Sequence, residues 1–221
     1  MKTEFTINPH TGEMVVRSAD EALLTRLQTY VGPSQDTDCG QSRQSPIPSG
    51  SNKSAQVRIA SVVHGSLVDG PGVRSVAFMQ GCTSSCSQCH SGHTHYLSGG
   101  IGVTVSELVS ELVRADVARD GVTISGGEPL AQPEACAQVV THLKGADIHV
   151  IVYSGLIYED LVRAKDPALD GVLSLADVLV DGPFVVSLRD ESLAYRGSSN
   201  QRVIDLAKTR ETGKLCLLEW E

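Results

Sequence analysis

Aromatic side chains are scarce in this chain, at 4% of 221 residues, with a single Trp and three Phe. Val, Leu, Ile and Ala must therefore build most of any core, and a hydrophobic content of 41% is enough for one. Clustered Lys and Arg are also missing. The formal net charge is −8 and the pI is near 5.3. That balance argues against general affinity for nucleic acid, which needs a basic patch to hold phosphates. No apolar run approaches the roughly 20 residues that span a bilayer. The opening MKTEFTINPHTG lacks the apolar stretch of a secretory signal. No internal repeat is evident. These absences give the expectation of a cytoplasmic protein with no membrane and no nucleic-acid partner. A disulfide framework is not expected either. Of the six cysteines, three crowd between positions 82 and 89, whereas Cys39, Cys136 and Cys216 are scattered. Cytosolic cysteines at tight spacing read first as metal ligands or redox groups.

The length suits one domain with an appendage. Residues 1–31 read as a small extension. TEFTINPHTGEMVVR (3–17) forms a hairpin around PHTG, and ADEALLTRLQTYV (19–31) forms a helix with Leu23, Leu24, Leu27 and Val31 on one face. Residues 32–56 are rich in Ser, Gln, Pro and Gly and read as a flexible linker. The main domain is expected over 57–221. Strand-like segments at 58–64, 74–81, 121–125, 147–154 and 176–182 alternate with helical patterns at 104–119, 133–145 and 156–164. The first of these helices opens with a Thr-x-x-Glu capping box at Thr104 and Glu107. Such alternation implies α/β architecture with a parallel sheet. A complete eight-fold barrel takes about 250 residues. The 57–207 region is too short for one, and an open partial (β/α) barrel is the expectation. Chemistry in α/β sheets gathers at the carboxyl ends of strands.

The strand at 74–81 runs directly into GCTSSCSQCHSGHTH, which carries Cys82, Cys86 and Cys89 in a CxxxCxxC pattern. Three thiolates on one loop can converge on a metal centre, and soft thiolates select zinc, copper(I) or iron–sulfur. Two readings follow. A structural zinc site would add a histidine from His90, His93 or His95. A four-iron cluster, which usually takes four cysteines, would keep one iron free of protein ligand and open to substrate. Zinc motifs more often come as paired CxxC elements on a longer loop, so the compact spacing favours iron–sulfur.

Five segments in order resemble the radical SAM superfamily. They are the cysteine loop, DGPGVRSVAFMQGC with Gly70, Pro71, Gly72 and Arg74, TISGGEPL (123–130), VLVDGPFV (178–185) and YRGSSNQ (195–201). The resemblance runs from about Val62 to Leu206. It is nearest to activating enzymes of anaerobic, class III ribonucleotide reductase, and more distant to pyruvate formate-lyase activating enzymes. It implies one [4Fe–4S] cluster on Cys82, Cys86 and Cys89. The open iron would bind the amino and carboxylate groups of S-adenosylmethionine, whose reductive cleavage yields methionine and a 5′-deoxyadenosyl radical. Such a cluster works toward the low end of the roughly −700 to +450 mV range.

The resemblance assigns Gly126, Gly127, Glu128 and Pro129 to the methionine amino group. On their own, two glycines before a proline are also an ordinary turn. Ser154 and Gly155 are further candidates for the cofactor site, or else turn formers at a strand end, and Asp181 is a candidate for the cofactor, a cation or a backbone amide, or else a turn residue before Gly182. Arg74 is a candidate for contact with the cluster loop or a partner, Arg196, Ser198, Asn200 and Gln201 for closing the open barrel edge or contacting a partner, and His90 for the adenine or a cluster sulfur. Cys136 reads as a small core residue. The implied activity is that of an activase that takes a hydrogen from a glycine Cα of a partner glycyl-radical enzyme, such as anaerobic ribonucleotide reductase. An electron donor such as flavodoxin or ferredoxin is implied with it. The extension at 1–56 also suits a second expectation, a stand-alone radical enzyme acting on a peptide or small molecule. A non-catalytic metal-binding module is the third.

Overall fold

The computed structural model describes residues 4–7, 14–17, 55–84 and 86–220. Two compact units make up the chain, Met1–Ser51 and Asn52–Glu221. In the first, β1 (Glu4–Ile7) and β2 (Met14–Arg17) pair antiparallel, Glu4 with Arg17 through Ile7 with Met14. The helix expected over 19–31 lies outside the described residues, as does the linker except for Ala55 and Gln56.

The second unit carries an α/β fold on one seven-stranded sheet. Its strands are β3 (Gln56–Ser66), β4 (Arg74–Met79), β5 (Ile101–Thr104), β6 (Gly121–Gly126), β7 (Val150–Tyr153), β8 (Val178–Asp181) and β9 (Arg202–Asp205). The order across the sheet is β5-β3-β4-β6-β7-β8-β9. The four central strands, β4, β6, β7 and β8, are parallel. The flanking pairs β3–β4, β3–β5 and β8–β9 are antiparallel, so the expected parallel sheet is confined to the four central strands. For β3 and β4 the cause is connection length, since residues 67–73 are all that join them and a parallel crossover needs a dozen or so.

Helices α1 (Val105–Leu112), α2 (Pro133–Gly145), α3 (Tyr158–Ala164), α4 (Pro167–Leu175) and α5 (Leu206–Thr212) follow β5, β6, β7 and β9. Their buried residues join one core with alternate strand positions. Leu108, Val139, Leu161, Val172 and Leu206 pack with Met79, Ile124, Val152, Leu179 and Ile204. The intervening strand residues Ile151, Val178, Val180 and Val203 form a second cluster with Tyr153, Leu218 and Trp220. Period-2 alternation thus sends one sheet face to the helices and leaves the other to loops and the C-terminal segment. The capping box at Thr104 and Glu107 is formed. However, α1 ends at Leu112, not near 119. The next positions on its buried face are Ala115 and Asp116, and Asp116 is held outward by Arg114.

Arg74 is 1% exposed. It donates to Thr123 Oγ1 (3.1 Å), Val122 O (2.5 Å) and His149 O (3.2 Å). These groups lie at the amino ends of the parallel strands. Arg74 therefore stands at the opposite end of the sheet from the cysteine loop, and its expected contact with that loop is not made. Burial pushes its guanidinium down to about 10, against the pull of Tyr153, Asp120 and Asp177. It acts as a tie between β4, β6 and β7. Gly70 (φ +130°) is required beside it, because a Cβ there would stand 2.6 Å from Ile151 Cδ1.

Candidate active site at the carboxyl ends of the parallel strands

Beyond β4 the chain enters the cysteine loop, and the base of that loop is closed by hydrogen bonds. Gly81 N donates to Thr94 O (2.8 Å) and Cys82 N to His95 O (3.1 Å). The Gln80 side chain adds bonds to Thr94 O (3.1 Å) and Tyr96 O (2.7 Å). Inside the loop, Cys89 N donates to Cys86 O (3.2 Å), with Gln88 in the left-handed region at φ 55°. Cys82, Cys86 and Cys89 are free, half-buried and line a single cleft of about 700 Å³. Burial pushes the Cys89 thiol up, its bond from the Ser91 amide pulls it down, and the nearby Cys86 and Cys82 push it up further. Three thiolates in mutual repulsion are a donor set that a cation relieves.

The end of β6 presses directly on this loop. Gly127 N donates to Met79 O (2.9 Å) and Glu128 N to Gly81 O (2.7 Å). A Cβ at Gly126 (φ +106°) would meet Met79 N at 2.5 Å, and one at Gly127 would meet Gly81 O at 2.3 Å. The two glycines are therefore required by the approach of β6 to the root of the cysteine loop, a reason the bare turn reading does not contain. Glu128 is 3% exposed. Its Oε1 accepts from Leu130 N (3.0 Å) and Ser154 Oγ (3.0 Å), and its Oε2 from Gly155 N (2.7 Å). Burial raises its carboxyl above the ordinary range, while these three donors pull it back. Glu128 thus ties the end of β6 to the end of β7. Its Oε2 keeps acceptor capacity, since a carboxylate oxygen takes more than one donor. Pro129 is buried and begins the short turn Pro129–Ala131. Ser154 also takes Leu156 N (3.0 Å).

Not every sequence candidate arrives at the cleft. Gly126, Gly127, Glu128, Ser154 and Gly155 line it together with the cysteines, whereas Pro129 and Asp181 are not among its lining residues. Asp181 is fully buried. It accepts from Arg202 Nε (2.9 Å), from Arg202 Nη2, and from Tyr158 N (2.7 Å) at the start of α3. Its carboxylate is taken up by an ion pair and, as one of the sequence alternatives had it, by a backbone amide at a helix end. Arg202→Met is therefore expected to leave a buried, uncompensated carboxylate and to cost about 3–5 kcal/mol, read as a lower urea midpoint. An unchanged midpoint would contradict this role. His90 and His95 line the cleft and His93 does not. Among the described residues, no three His, Cys, Asp or Glu side chains close to the spacing of a single metal ion. Sequence reading missed Asp69, Tyr153 and Phe184, which also line the cleft. Tyr153 was legible only as the end of an apolar strand. The YRGSSNQ segment divides in two. Tyr195, Arg196, Gly197 and Gln201 line the cleft, while Ser198 and Asn200 stand behind it, and the loop is braced by Asn200 Nδ2 to Pro183 O (2.8 Å) and Gln201 Nε2 to Gly182 O (3.2 Å).

The 4Fe-4S single cluster domain family matches residues 68–204, a span that holds the cysteine loop, the glycine corner and all of the cleft wall except Leu67. The chain belongs to this family. Its relatives are radical SAM activating enzymes. A pyruvate formate-lyase-activating enzyme of Clostridium pasteurianum is 39% identical over 120 residues, covering 51% of this chain and 50% of that protein. The anaerobic ribonucleoside-triphosphate reductase-activating protein of Escherichia coli K12 is 33% identical over 147 residues, covering 62% of this chain and 91% of that protein. The pyruvate formate-lyase 1-activating enzyme of the same strain is 35% identical over 147 residues, 64% of this chain and 57% of that protein. The chain thus spans about half the length of the formate-lyase activators. The family model and these relatives imply a [4Fe–4S] cluster and S-adenosylmethionine as its cofactors. The residues present fit that pair: three free thiols on one loop, beside a cleft within the roughly 300–1,000 Å³ range of small-molecule sites. Among the described residues, no helix is long and apolar enough to cross a membrane.

Proposed function

We propose that Cys82, Cys86 and Cys89 hold the [4Fe–4S] cluster, and that the chain activates a partner glycyl-radical enzyme. One observation carries this reading. The three free cysteines line the same cleft as the Gly126–Gly127–Glu128 corner and Ser154. When bound and reduced, the cluster supplies the electron that splits S-adenosylmethionine into methionine and a 5′-deoxyadenosyl radical. The protein's own work is placement and shielding. The hydrogen-bonded base of the loop fixes Cys82. The glycine corner brings backbone close to the ligand without Cβ hindrance, and Glu128 Oε2 offers an acceptor to an ammonium group. Among the described residues the seven-stranded sheet does not close on itself; the outer edge of β9 is bridged by the C-terminal segment at Cys216–Leu218, and the open arrangement suits the partial barrel of the resemblance, with an open side through which a glycine-bearing loop reaches the cleft. A glycine Cα brought there would be the hydrogen donor, and the chemistry the bound cofactor would supply is removal of that hydrogen to leave a glycyl radical on the partner. We place this work in the cytoplasm, where thiols stay reduced, with flavodoxin or ferredoxin as electron donor. The similarity to the Escherichia coli reductase-activating protein makes anaerobic ribonucleotide reductase the first partner to test.

The test uses the full chain, reconstituted anaerobically with iron and sulfide, reduced, and given S-adenosylmethionine with and without the reductase. A glycyl EPR doublet that needs both proteins supports the activase. The alignment to that relative covers only 62% of this chain, and the surplus favours, as a second reading, a peptide or small-molecule substrate. 5′-Deoxyadenosine without a glycyl radical would support it. No deoxyadenosine under any condition would contradict both.

A further inference from the structure

Where β4 ends at Met79, the chain leaves the sheet for the cysteine loop, and β3 loses its neighbour strand. Gln80 N still donates to Arg58 O (3.0 Å). A strand residue points its N–H and C=O to the same neighbour, so Arg58 N faces the gap that β4 leaves. The Gln132 side chain fills that gap. Its Oε1 accepts from Arg58 N (2.8 Å) and its Nε2 donates to Arg58 O (2.9 Å), as a residue of a paired strand would. The second Nε2 hydrogen goes to Gln80 O (3.0 Å). Gln132 is itself held at both ends. Its N donates to Pro129 O (3.2 Å) in the turn that follows the glycine corner, and its O accepts from Cys136 N (2.9 Å) in the first turn of α2. It stands at the N-cap position of α2, yet its side chain makes no capping bond. An N-cap side chain ordinarily serves the helix; this one serves the sheet.

Gln80 carries the hold onward. It is buried, and both hydrogens of its Nε2 reach the returning limb of the cysteine loop, at Thr94 O (3.1 Å) and Tyr96 O (2.7 Å). That limb also takes Gly81 N and Cys82 N, at Thr94 O and His95 O. From the other side Arg58 grips it, with Nε and Nη2 donating to Gly99 O (3.0 and 2.6 Å). A Cβ at Gly99 would stand 2.6 Å from Gln80 Nε2, so the limb closes directly over the Gln80 amide. Both limbs at the root of the loop thus hang on one amide that comes from the far side of the glycine corner. We propose that Gln132 is a positioning residue for the metal centre: acting through Gln80, it fixes the root of the cysteine loop and with it the place of Cys82. This rests on the reading of Cys82 as a cluster ligand.

Gln132→Met keeps the length of the side chain and removes its amide. Lys144→Met is the control. It breaks the ion pair with Asp177 (2.8 Å), whose carboxylate also takes Val150 N at the amino end of β7, the far end of the sheet. Full-length protein is measured first without and then with the reconstituted cluster. In the apoprotein, hydrogen exchange at the Gly81 and Cys82 amides is expected to quicken about 10-fold or more in Gln132→Met and to keep its wild-type rate in Lys144→Met. In the loaded protein, Gln132→Met is expected to lose iron to a chelator about 10–100-fold faster and to change the EPR line shape of the reduced cluster. Lys144→Met is expected to keep wild-type values of both even where its Tm falls. Gln80→Met leaves the pairing of Gln132 with Arg58 in place and is expected to reproduce the cluster effects; it decides the matter if Gln132→Met does not fold. Wild-type iron release and line shape in Gln132→Met, or in Gln80→Met in its stead, would overturn the proposal. So would the same changes in Lys144→Met, which would trace them to stability alone. A wild type that takes up no iron would overturn the cluster reading and the proposal with it. Quickened exchange in the Gln132→Met apoprotein sets that failure apart from one in which Gln132 does not hold the loop.

Discussion

Cys86→Ala is expected to abolish S-adenosylmethionine cleavage while leaving the apoprotein as stable as wild type to within about 1 kcal/mol. The separation of the two effects follows from where Cys86 sits. It is half-buried on a loop whose closure rests on the backbone of Gly81 and Cys82 and on the Gln80 side chain, not on its own thiol. Removing the sulfur takes one of three ligands from the cluster and nothing from the core. Iron content after reconstitution, 5′-deoxyadenosine yield and the urea midpoint measure the three quantities separately. A variant that still cleaves S-adenosylmethionine would remove Cys86 from the cluster. One that unfolds would make the thiol a packing group.

Gly127→Ala is expected to damage both fold and site. The added methyl would lie 2.3 Å from Gly81 O, 2.8 Å from Gly81 C and 3.1 Å from Thr94 O. All three are backbone atoms at the closed base of the cysteine loop, so no side chain can swing aside. Relief comes only from moving that base, and with it Cys82. Overpacking of this kind costs about 1–3 kcal/mol, and the displaced loop is expected to take up less iron. The control is Gly145→Ala at the end of α2, where a Cβ meets nothing within 4 Å. That change is expected to be neutral or to stabilise by up to about 1 kcal/mol. Equal behaviour of the two variants, in Tm and in iron content, would show that the glycine corner is not required by the loop.

Much of this site could be read from the chain because its parts are local. CxxxCxxC after a strand and Gly-Gly-Glu-Pro after another each state their chemistry within a few residues, and strand ends are where an α/β sheet brings such segments together. Helix α2 was legible to the residue, since Pro133 and Gly145 punctuate it. Helix α4 was not. Gly171 interrupts its pattern, although Asp166 caps it through Ala168 N (2.8 Å) and Pro167 stands at its first turn. Strand β5 hides among Gly99, Gly100 and Gly102, and is made a strand by pairing with β3. Asp181 shows the limit from the other side. A carboxylate at a strand end looks the same in sequence whether it faces a ligand or an arginine, and only the pairing of β8 with β9 places Arg202 beside it. Arg74 was misplaced for a related reason. It precedes the cysteines by only eight positions, yet that interval is a strand, which carries it to the far end of the sheet.

The central claim is that Cys82, Cys86 and Cys89 hold a cluster open to S-adenosylmethionine. Its most direct test is EPR of the anaerobically reconstituted, reduced full chain before and after S-adenosylmethionine is added, alongside iron and sulfide analysis. The expected result is about four irons per chain and a cluster signal that shifts on addition of the ligand. Zinc in place of iron, or a cluster signal indifferent to S-adenosylmethionine, would contradict it.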